Sequence, residues 1–278
     1  MRFPSYALTE YQAQNNSKAS ARLGAASLEL MSLSQVLALA TPAQLSEWQN
    51  LTLNYVPDRG GIELRAAIAA NYSGLSADNV VVFSSATEAL FCCIHAAVKQ
   101  SDRCTVITPC YEPLVKIPES IGAAVNRIPL RREGEEAAEA RWVLDGDEIR
   151  EAIAKSNQLF INFPHNPTGA LIDHAELAEL VAHCETHGTR LIADEVFRGL
   201  EHAEGATLEP VATLTAHGVS IGSLAKPHGA GGVRIGWMVS QDAELLTRAV
   251  TIRRSLSVCS GTTDEWLARL ILAHSQTL

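Results

Sequence analysis

The sequence lacks any apolar run long enough to cross a membrane. No window approaches the roughly 18 consecutive apolar residues that a spanning helix needs, and the longest near-miss, residues 89–98, is typical of a buried helix face. Residues 1–30 contain no apolar stretch after a basic start, which argues against a secretory signal. We therefore expect a cytoplasmic protein with no membrane partner.

Positive charge is also scarce. The chain has 22 Lys and Arg against 31 Asp and Glu, so its formal net charge is −9 over 278 residues. Because no run of Lys and Arg offsets this excess, we expect no nucleic-acid partner. The six cysteines include no CxxC pair and are typical of buried thiols in a reduced cytosol. A hydrophobic fraction of 47% with 19% charged residues excludes a disordered chain.

From residue 60 onward, short apolar segments alternate with longer stretches of helical periodicity. The predicted strands are residues 79–83, 105–108, 124–128, 159–163, 190–193 and 218–221. The predicted helices are residues 62–70, 87–99, 147–155, 173–187 and 263–274. Apolar strands joined by such helices predict an α/β fold, with three α/β/α layers around a mostly parallel central sheet. In such sheets the ligand lies beyond the carboxyl ends of the strands.

Polar residues gather where the predicted strands end. Residues 84–87, Ser-Ser-Ala-Thr, lead from a strand into a helix, which fits either an N-cap or a phosphate-sized anion site. Tyr111 follows the second strand, and two prolines and a glycine fix the turn at residues 164–169, Pro-His-Asn-Pro-Thr-Gly. Asp194 ends a buried strand, and Lys226 follows another. A hydroxyl-rich turn, an amide, a carboxylate and a lysine are thus predicted to converge.

Four motifs occur in a distinctive order along the chain. They are Asn166-Pro167-Thr168-Gly169, Asp194, Ser223-x-x-Lys226 and Arg234-x-Gly236-Trp237. In this order and spacing the sequence resembles the class I/II aminotransferases, fold-type I enzymes that depend on pyridoxal 5′-phosphate (PLP). The resemblance runs from about Tyr55 to the C-terminus. It implies that an N-terminal segment, residues 1–54, packs on a PLP-binding large domain, residues 55–278, and that the family's small C-terminal domain is absent.

The resemblance assigns the chemistry around the cofactor ring to four residues. Lys226 would form a Schiff base with PLP and then move the substrate proton, for which its pKa must be lowered by burial or by a neighbouring cation. Asp194 would pair with the pyridinium nitrogen, so that the ring acts as an electron sink. Asn166 would donate to the phenolic oxygen of PLP. Tyr111 would stack on the ring, with packing in the core as its alternative.

The resemblance also implies a phosphate site and a dimer. The residues that would hold the phosphate are Ser85, Ala86, Thr87, Ser223 and Arg234. The planar guanidinium of Arg234 suits a phosphate group. Tyr55 matches the tyrosine that reaches the phosphate of the partner subunit, which implies a homodimer with shared sites. The alternative for Tyr55 is a place in the core.

Two positions depart from the family pattern. Phe197 stands where the family usually has a tyrosine whose hydroxyl also binds the phenolic oxygen of PLP. Losing that donor should raise the pKa of the Schiff base and change the pH optimum. Pro227-His228 follows the lysine where the family commonly has Thr-Tyr or Ser-Phe, and we have no physical account of this difference.

Three other motifs point to different chemistry but fit it poorly. Ser220 lies in a GxSxG match, yet it sits inside an apolar strand rather than at the sharp turn of a hydrolase nucleophile. Residues 229–234 resemble a dinucleotide loop, except that Arg234 stands where GxGxxG requires glycine. His183 and His187 share a helix face, but the HExxH pattern is not met, so no metal site is expected.

The resemblance implies an aminotransferase that exchanges an amino group between amino-acid and 2-oxo-acid substrates through Lys226. Two alternatives remain open at this point. Because the sequence stops after the predicted helix at residues 263–274, the chain is also consistent with a truncated PLP-binding domain with little or no catalysis. The same residues also serve lyases, decarboxylases and cyclases, because PLP stabilises any carbanion at the substrate α-carbon.

Overall fold

The structure is a computed structural model that describes residues 5–15, 18, 29–134 and 140–275. Its strands are β1 Val80–Phe83, β2 Arg103–Thr108, β3 Ala124–Pro129, β4 Arg131–Glu133, β5 Arg141–Val143, β6 Gln158–Asn162, β7 Arg190–Asp194, β8 Gly218–Ser223 and β9 Gly236–Ser240. Its α-helices are α1 Ala7–Asn15, α2 Leu33–Leu37, α3 Pro42–Gln49, α4 Ile62–Ala69, α5 Ala86–Ala97, α6 Pro113–Ile121, α7 Gly146–Ile153, α8 His174–His187, α9 Val211–Leu214, α10 Ala243–Arg254 and α11 Thr262–Ala273. Short 3₁₀ turns span Ala77–Asn79 and Gly231–Val233.

Seven strands form one sheet in the order β1-β9-β8-β7-β6-β2-β3. The neighbouring pairs from β8 to β3 are parallel, whereas β9 pairs antiparallel with both β1 and β8. Only β9 therefore runs against the direction of the other six strands. Strands β4 and β5 form a separate antiparallel pair. The predicted α/β fold with a mostly parallel sheet is confirmed.

The sheet is buried on both faces because its strands are apolar at successive positions. In β1, Val81 and Phe83 pack in a core with α5 and α10, whereas Val80 and Val82 pack in a second core with α4 and α11. Alternate side chains of a strand point to opposite faces, so an unbroken apolar run needs helices on both sides. A third core lies on the face of β6 and β7 that is opposite to the first core, and there these strands pack against α7 and α8. These layers form the three-layer α/β/α arrangement.

Several elements lie outside the predicted set. Helices α6 and α10 and strand β9 were not predicted, and the strand predicted at residues 79–83 begins at Val80. Ser76 accepts a hydrogen bond from the Asp78 N–H, which caps a 3₁₀ turn and delays the start of the strand. The other predicted strands and helices are present with ends that differ by one or two residues.

The described part of residues 1–54 contacts the second core. Val36 of α2 is buried there, and the rings of Trp48 and Trp266 lie 5.0 Å apart between α3 and α11. Residues 1–4, 16–17 and 19–28 of the predicted N-terminal segment lie outside the described residues, as do 135–139 and 276–278 of the predicted large domain. No helix in the described ranges is long and apolar enough to span a membrane.

Strand β9 approaches the beginning of α5 closely enough to require glycine. A Cβ atom at Gly236 would lie 2.2 Å from the backbone nitrogen of Ala86 and 2.4 Å from the carbonyl carbon of Ser85. Both contacts are with backbone, so no side-chain rotation could relieve them. The glycine of the Arg-x-Gly-Trp motif thus fixes the distance between β9 and the first turn of α5.

We predict that Gly236→Ala destabilises the protein by about 1–3 kcal/mol, because the added methyl group would push α5 away from the sheet. Gly232→Ala is the matched control, since a Cβ at Gly232 has no atom within 4 Å. Urea unfolding followed by circular dichroism measures both variants. Equal stability of the two variants would contradict the predicted contact.

Candidate active site

The sequence-predicted residues lie at the carboxyl end of the parallel strands. Residues 84–87 follow β1, Tyr111 follows β2, and Asn166 lies in the turn after β6. Asp194 is the last residue of β7, and Lys226 follows the end of β8. These strands are neighbours or are separated only by β9, so the topology brings the five positions to one edge of the sheet.

Asp194 is a buried carboxylate without a basic partner. The residue is only 4% exposed, and one of its carboxylate oxygens accepts a hydrogen bond of 3.2 Å from the Val196 N–H. No described Lys, Arg or His side chain forms an ion pair with it. Burial raises the pKa of Asp194 to about 6, and the Val196 N–H opposes this rise. Within the described ranges, the carboxylate is therefore compensated by a backbone donor and not by a cation.

Asn162 connects the end of β7 to the turn that carries Asn166. Its side-chain amide donates to the Asp194 carbonyl oxygen at 2.8 Å, and its side-chain oxygen accepts from the Asn166 N–H at 3.0 Å. Within the same turn, His165 and Thr168 are hydrogen bonded at 2.7 Å between Nδ1 and Oγ1. These contacts fix Asn166 relative to Asp194.

Lys226 lies beside the ring of Phe197, with its Nζ atom 5.6 Å from the ring centroid. Partial burial lowers the pKa of the Lys226 amine, which increases the fraction without a proton. The turn that carries the lysine begins at Ser223, whose hydroxyl accepts from the Ala225 N–H at 3.0 Å. It continues with a hydrogen bond of 3.2 Å from the Gly229 N–H to the Lys226 carbonyl oxygen.

The first turn of α5 is joined to Tyr111. Ser85 is the N-cap of this helix, and its hydroxyl accepts from the Glu88 N–H at 3.1 Å. The hydroxyl groups of Thr87 and Tyr111 are 2.9 Å apart. Burial raises the pKa of Tyr111, the hydrogen bond to Thr87 lowers it, and the nearby Asp194 raises it. The half-buried Tyr111 thus lies between the start of α5 and the carboxylate.

Arg234 and Tyr55 have exposed positions. Arg234 adopts a left-handed backbone conformation with φ of 55°, and its guanidinium donates to the Gly231 carbonyl oxygen at 2.9 Å. Tyr55 is 82% exposed, which rules out the core position that the sequence left open for it. Its N–H donates to the side-chain oxygen of Asn54 at 2.8 Å.

Sequence reasoning missed the buried Glu195 next to Asp194. One Glu195 oxygen accepts from the Ser220 hydroxyl at 2.7 Å and from the Val211 N–H at 2.9 Å. Burial raises the pKa of Glu195 to about 7, although these two donors lower it. Ser220 is fully buried in β8 and donates to this carboxylate, so it is not the exposed nucleophile of a hydrolase. The Asp-Glu pair at the end of an apolar strand was the available signal.

His183 is half-buried and His187 is exposed, both on α8. Over the described ranges, no group of three or more His, Cys, Asp and Glu side chains is arranged to hold a metal ion.

Comparisons with known proteins identify the family and several relatives of this chain. The family described as aminotransferase class I and II matches residues 24–276. The chain is 31% identical over 260 residues to a probable kynurenine–oxoglutarate transaminase of Saccharomyces cerevisiae, covering 86% of this chain and 56% of that protein. It is 31% identical over 227 residues to the capreomycidine synthase of Streptomyces vinaceus, covering 80% and 55%.

A solved structure of a PLP-dependent aminotransferase from Streptococcus suis has the same fold. It superimposes with a TM-score of 0.89 at 25% identity, and the match covers 99% of this chain and 72% of that one. The chain spans just over half the length of the two relatives named above, at 56% and 55%. The family match extends over nearly the whole sequence and includes every motif at the sheet edge. The chain belongs to the class I and II aminotransferase family.

Proposed function

We propose that the protein is a PLP-dependent aminotransferase that transfers an amino group between an amino acid and a 2-oxo acid. The observation that carries this proposal is the buried Asp194 carboxylate, which lacks a described cationic partner at the same sheet edge as Lys226. A buried carboxylate is costly unless a cation or several donors compensate it. The protonated ring nitrogen of PLP is such a cation.

The residues present fit PLP at both ends of the molecule. Asp194 supplies the acceptor for the ring nitrogen, and the first turn of α5 supplies backbone N–H groups for the phosphate. Gly236 lets β9 pass directly against that turn. Tyr111 would cover the ring, and Asn166 would donate to its phenolic oxygen. Ser85, Ala86, Thr87, Ser223 and Arg234 would complete the phosphate site.

When bound, PLP withdraws electrons from the substrate α-carbon, and the protein decides which bond is weakened. Lys226 would bind the cofactor covalently and afterwards move a proton at the substrate. Both tasks need an amine without its proton, and partial burial of Lys226 lowers its pKa in that direction. Asp194 would keep its negative charge once a ring nitrogen with a positive charge lies beside it, because an opposite charge lowers a carboxyl pKa.

Transamination is favoured over other PLP reactions because relatives such as the yeast protein are named as transaminases. A relative named as a synthase makes the reaction type itself worth measuring. The test is to add amino acids one at a time to the PLP-loaded protein. Conversion of the cofactor to its amine form, with release of the matching 2-oxo acid, supports transamination. A different product without the amine form would contradict it.

Further proposals concern the setting of the protein. We propose a cytoplasmic homodimer, without nucleic-acid partners, in which residues 1–54 pack on a large domain of residues 55–278. The dimer is supported by exposed apolar side chains close to one cleft of about 490 Å³, which is lined by residues 53–55, 257 and 259–263. Leu53 is 79% exposed, Leu256 53% and Val258 49%. An apolar patch of this kind fits a second copy of the chain.

We predict that Lys226→Ala abolishes the Schiff-base absorbance that the wild-type protein acquires with PLP, because no other amine would replace it. Lys155→Ala is the control, since the Lys155 side chain is 59% exposed and pairs with Glu151 on the surface. Absorbance spectra during PLP titration measure both variants. A wild-type protein with no Schiff-base band would contradict the cofactor assignment.

We predict a pH-dependent effect of Asp194→Asn on the cofactor-free protein. The folded pKa of Asp194, about 6, lies above the ordinary aspartate value of 3.8. The stability that this carboxyl contributes is therefore full below pH 3.8 and is lost as the pH rises through 6. Asparagine stays uncharged. The variant should therefore gain about 3 kcal/mol over wild type between pH 4 and pH 8.

Urea unfolding at several pH values measures this difference. Asp147→Asn is the control, because the Asp147 side chain is 95% exposed. A difference between Asp194→Asn and wild type that does not change with pH would show that the carboxyl is not buried as described.

We predict that Tyr55 acts in the site of the partner subunit. Tyr55→Ala should weaken PLP binding, and mixing it with Lys226→Ala should restore tight binding in the mixed dimers. One site of each mixed dimer then contains an intact lysine and the other subunit's intact tyrosine. Light scattering and PLP titration measure assembly and binding. A monomeric protein, or no recovery in dimers that have exchanged subunits, would contradict the shared site.

A further inference from the structure

Arg253 of α10 is a fully buried arginine that the proposed chemistry does not use. It is the only buried Lys or Arg among the described residues. One guanidinium nitrogen donates to the Asp58 carbonyl oxygen, and the group lies 5.4 Å from the centroid of the Phe83 ring. Its Nε and other Nη atoms have no hydrogen-bond partner within the described structure. A buried guanidinium needs opposite charge close by.

The acidic side chain with the largest electrostatic effect on Arg253 is on α5. Burial is the largest effect on the pKa of Arg253 and lowers it. Among the groups that raise this pKa, Glu88 has the largest effect. Glu265 acts in the same direction more weakly, and its carboxylate already binds the Gly61 N–H at 2.8 Å. Phe83, which the guanidinium faces, is the last residue of β1 and precedes the turn into α5.

Glu88 lies in the first turn of α5, three residues after the Ser85 N-cap. One of its oxygens accepts from the Ser84 N–H at 2.6 Å, and the other accepts from the Ser257 hydroxyl at 2.5 Å. The carboxylate therefore holds the turn in shape. It also places a negative charge at the same helix end that the proposed function gives to a phosphate.

The Glu88 carboxylate and a bound phosphate would repel each other at this helix end. Partial burial weakens the screening of their charges by solvent. The N–H groups and dipole of α5 together act as only about half a unit of positive charge. A buried cation behind the turn would cancel the charge of Glu88 while leaving its hydrogen bonds to Ser84 and Ser257 unchanged. The guanidinium of Arg253 lies beside Phe83, which directly precedes Ser84. On the other side, Ser257, which binds Glu88, donates its N–H to the Arg253 carbonyl oxygen at 3.1 Å, so both contacts bring Arg253 to the side of this turn.

We propose that Arg253 is a positioning residue that neutralises Glu88, so that the first turn of α5 can bind the phosphate dianion of PLP. This inference rests on the proposed function. It assigns to Arg253 an electrostatic effect on the phosphate end of the cofactor, without direct contact. Pyridoxal, which has the same ring and aldehyde but no phosphate, should therefore be insensitive to it.

The experiment is a double-mutant cycle read by PLP and pyridoxal affinities. Dissociation constants are measured for wild type, Arg253→Met, Glu88→Gln and the double variant. We expect Arg253→Met to weaken PLP binding about tenfold while pyridoxal binding stays unchanged, and the double variant to recover most of the PLP affinity. The oxygen of glutamine still accepts from the Ser84 N–H, and its amide nitrogen can donate to the Ser257 hydroxyl, so the cycle tests charge with little change of shape.

Equal weakening of PLP and pyridoxal binding, or no recovery in the double variant, would overturn the proposal in favour of a structural role. If Arg253→Met does not fold, Glu88→Gln in the wild-type background decides. It should strengthen PLP binding relative to pyridoxal, and an unchanged ratio would overturn the proposal. A wild-type protein that forms no Schiff base with PLP would instead overturn the proposed function, so the two failures are distinct.

Discussion

Burial of charge at the edge of an apolar sheet is the constraint on which the rest of this structure depends. The strands are largely apolar on both faces, and the candidate site lies at their carboxyl ends. There Asp194 is buried with a single backbone donor to its carboxylate, and its pKa is raised to about 6. Arg253 of α10 is buried beside Phe83, the last residue of β1. Under the proposed function, the ring nitrogen of PLP would compensate Asp194 and its phosphate would lie at the first turn of α5.

The fold could be predicted from sequence because its signals are local. Apolar runs of strand length, separated by helical periodicity, indicated six of the seven strands of the main sheet. Strand β9 is less evident from the sequence because it begins with Gly236, and glycine weakens a strand pattern. Its antiparallel direction depends on pairing with β1 and β8, which are far apart in sequence. Helix α6 contains Pro118, which weakens its helical pattern.

The site could be predicted only in part. The positions that end the strands were found because a parallel sheet aligns those ends, whatever the detail of packing. The contacts of Asn162, Glu195 and Arg253 could not be found, because each joins residues that are distant in sequence. Arg253, for example, is 195 residues from the Asp58 carbonyl to which it donates. The exposure of Tyr55 could not be predicted either, since the sequence left both a core position and a surface position open for it.

Membership of the aminotransferase family and the uncompensated Asp194 lead to one central claim, that this carboxylate keeps the ring nitrogen of PLP protonated. The most direct test is nitrogen-15 NMR of PLP that is labelled at its ring nitrogen and bound to the wild-type protein. We predict a chemical shift typical of a protonated nitrogen that stays constant across the pH range in which free PLP loses this proton. A ring nitrogen that titrates as it does in free PLP would contradict the claim.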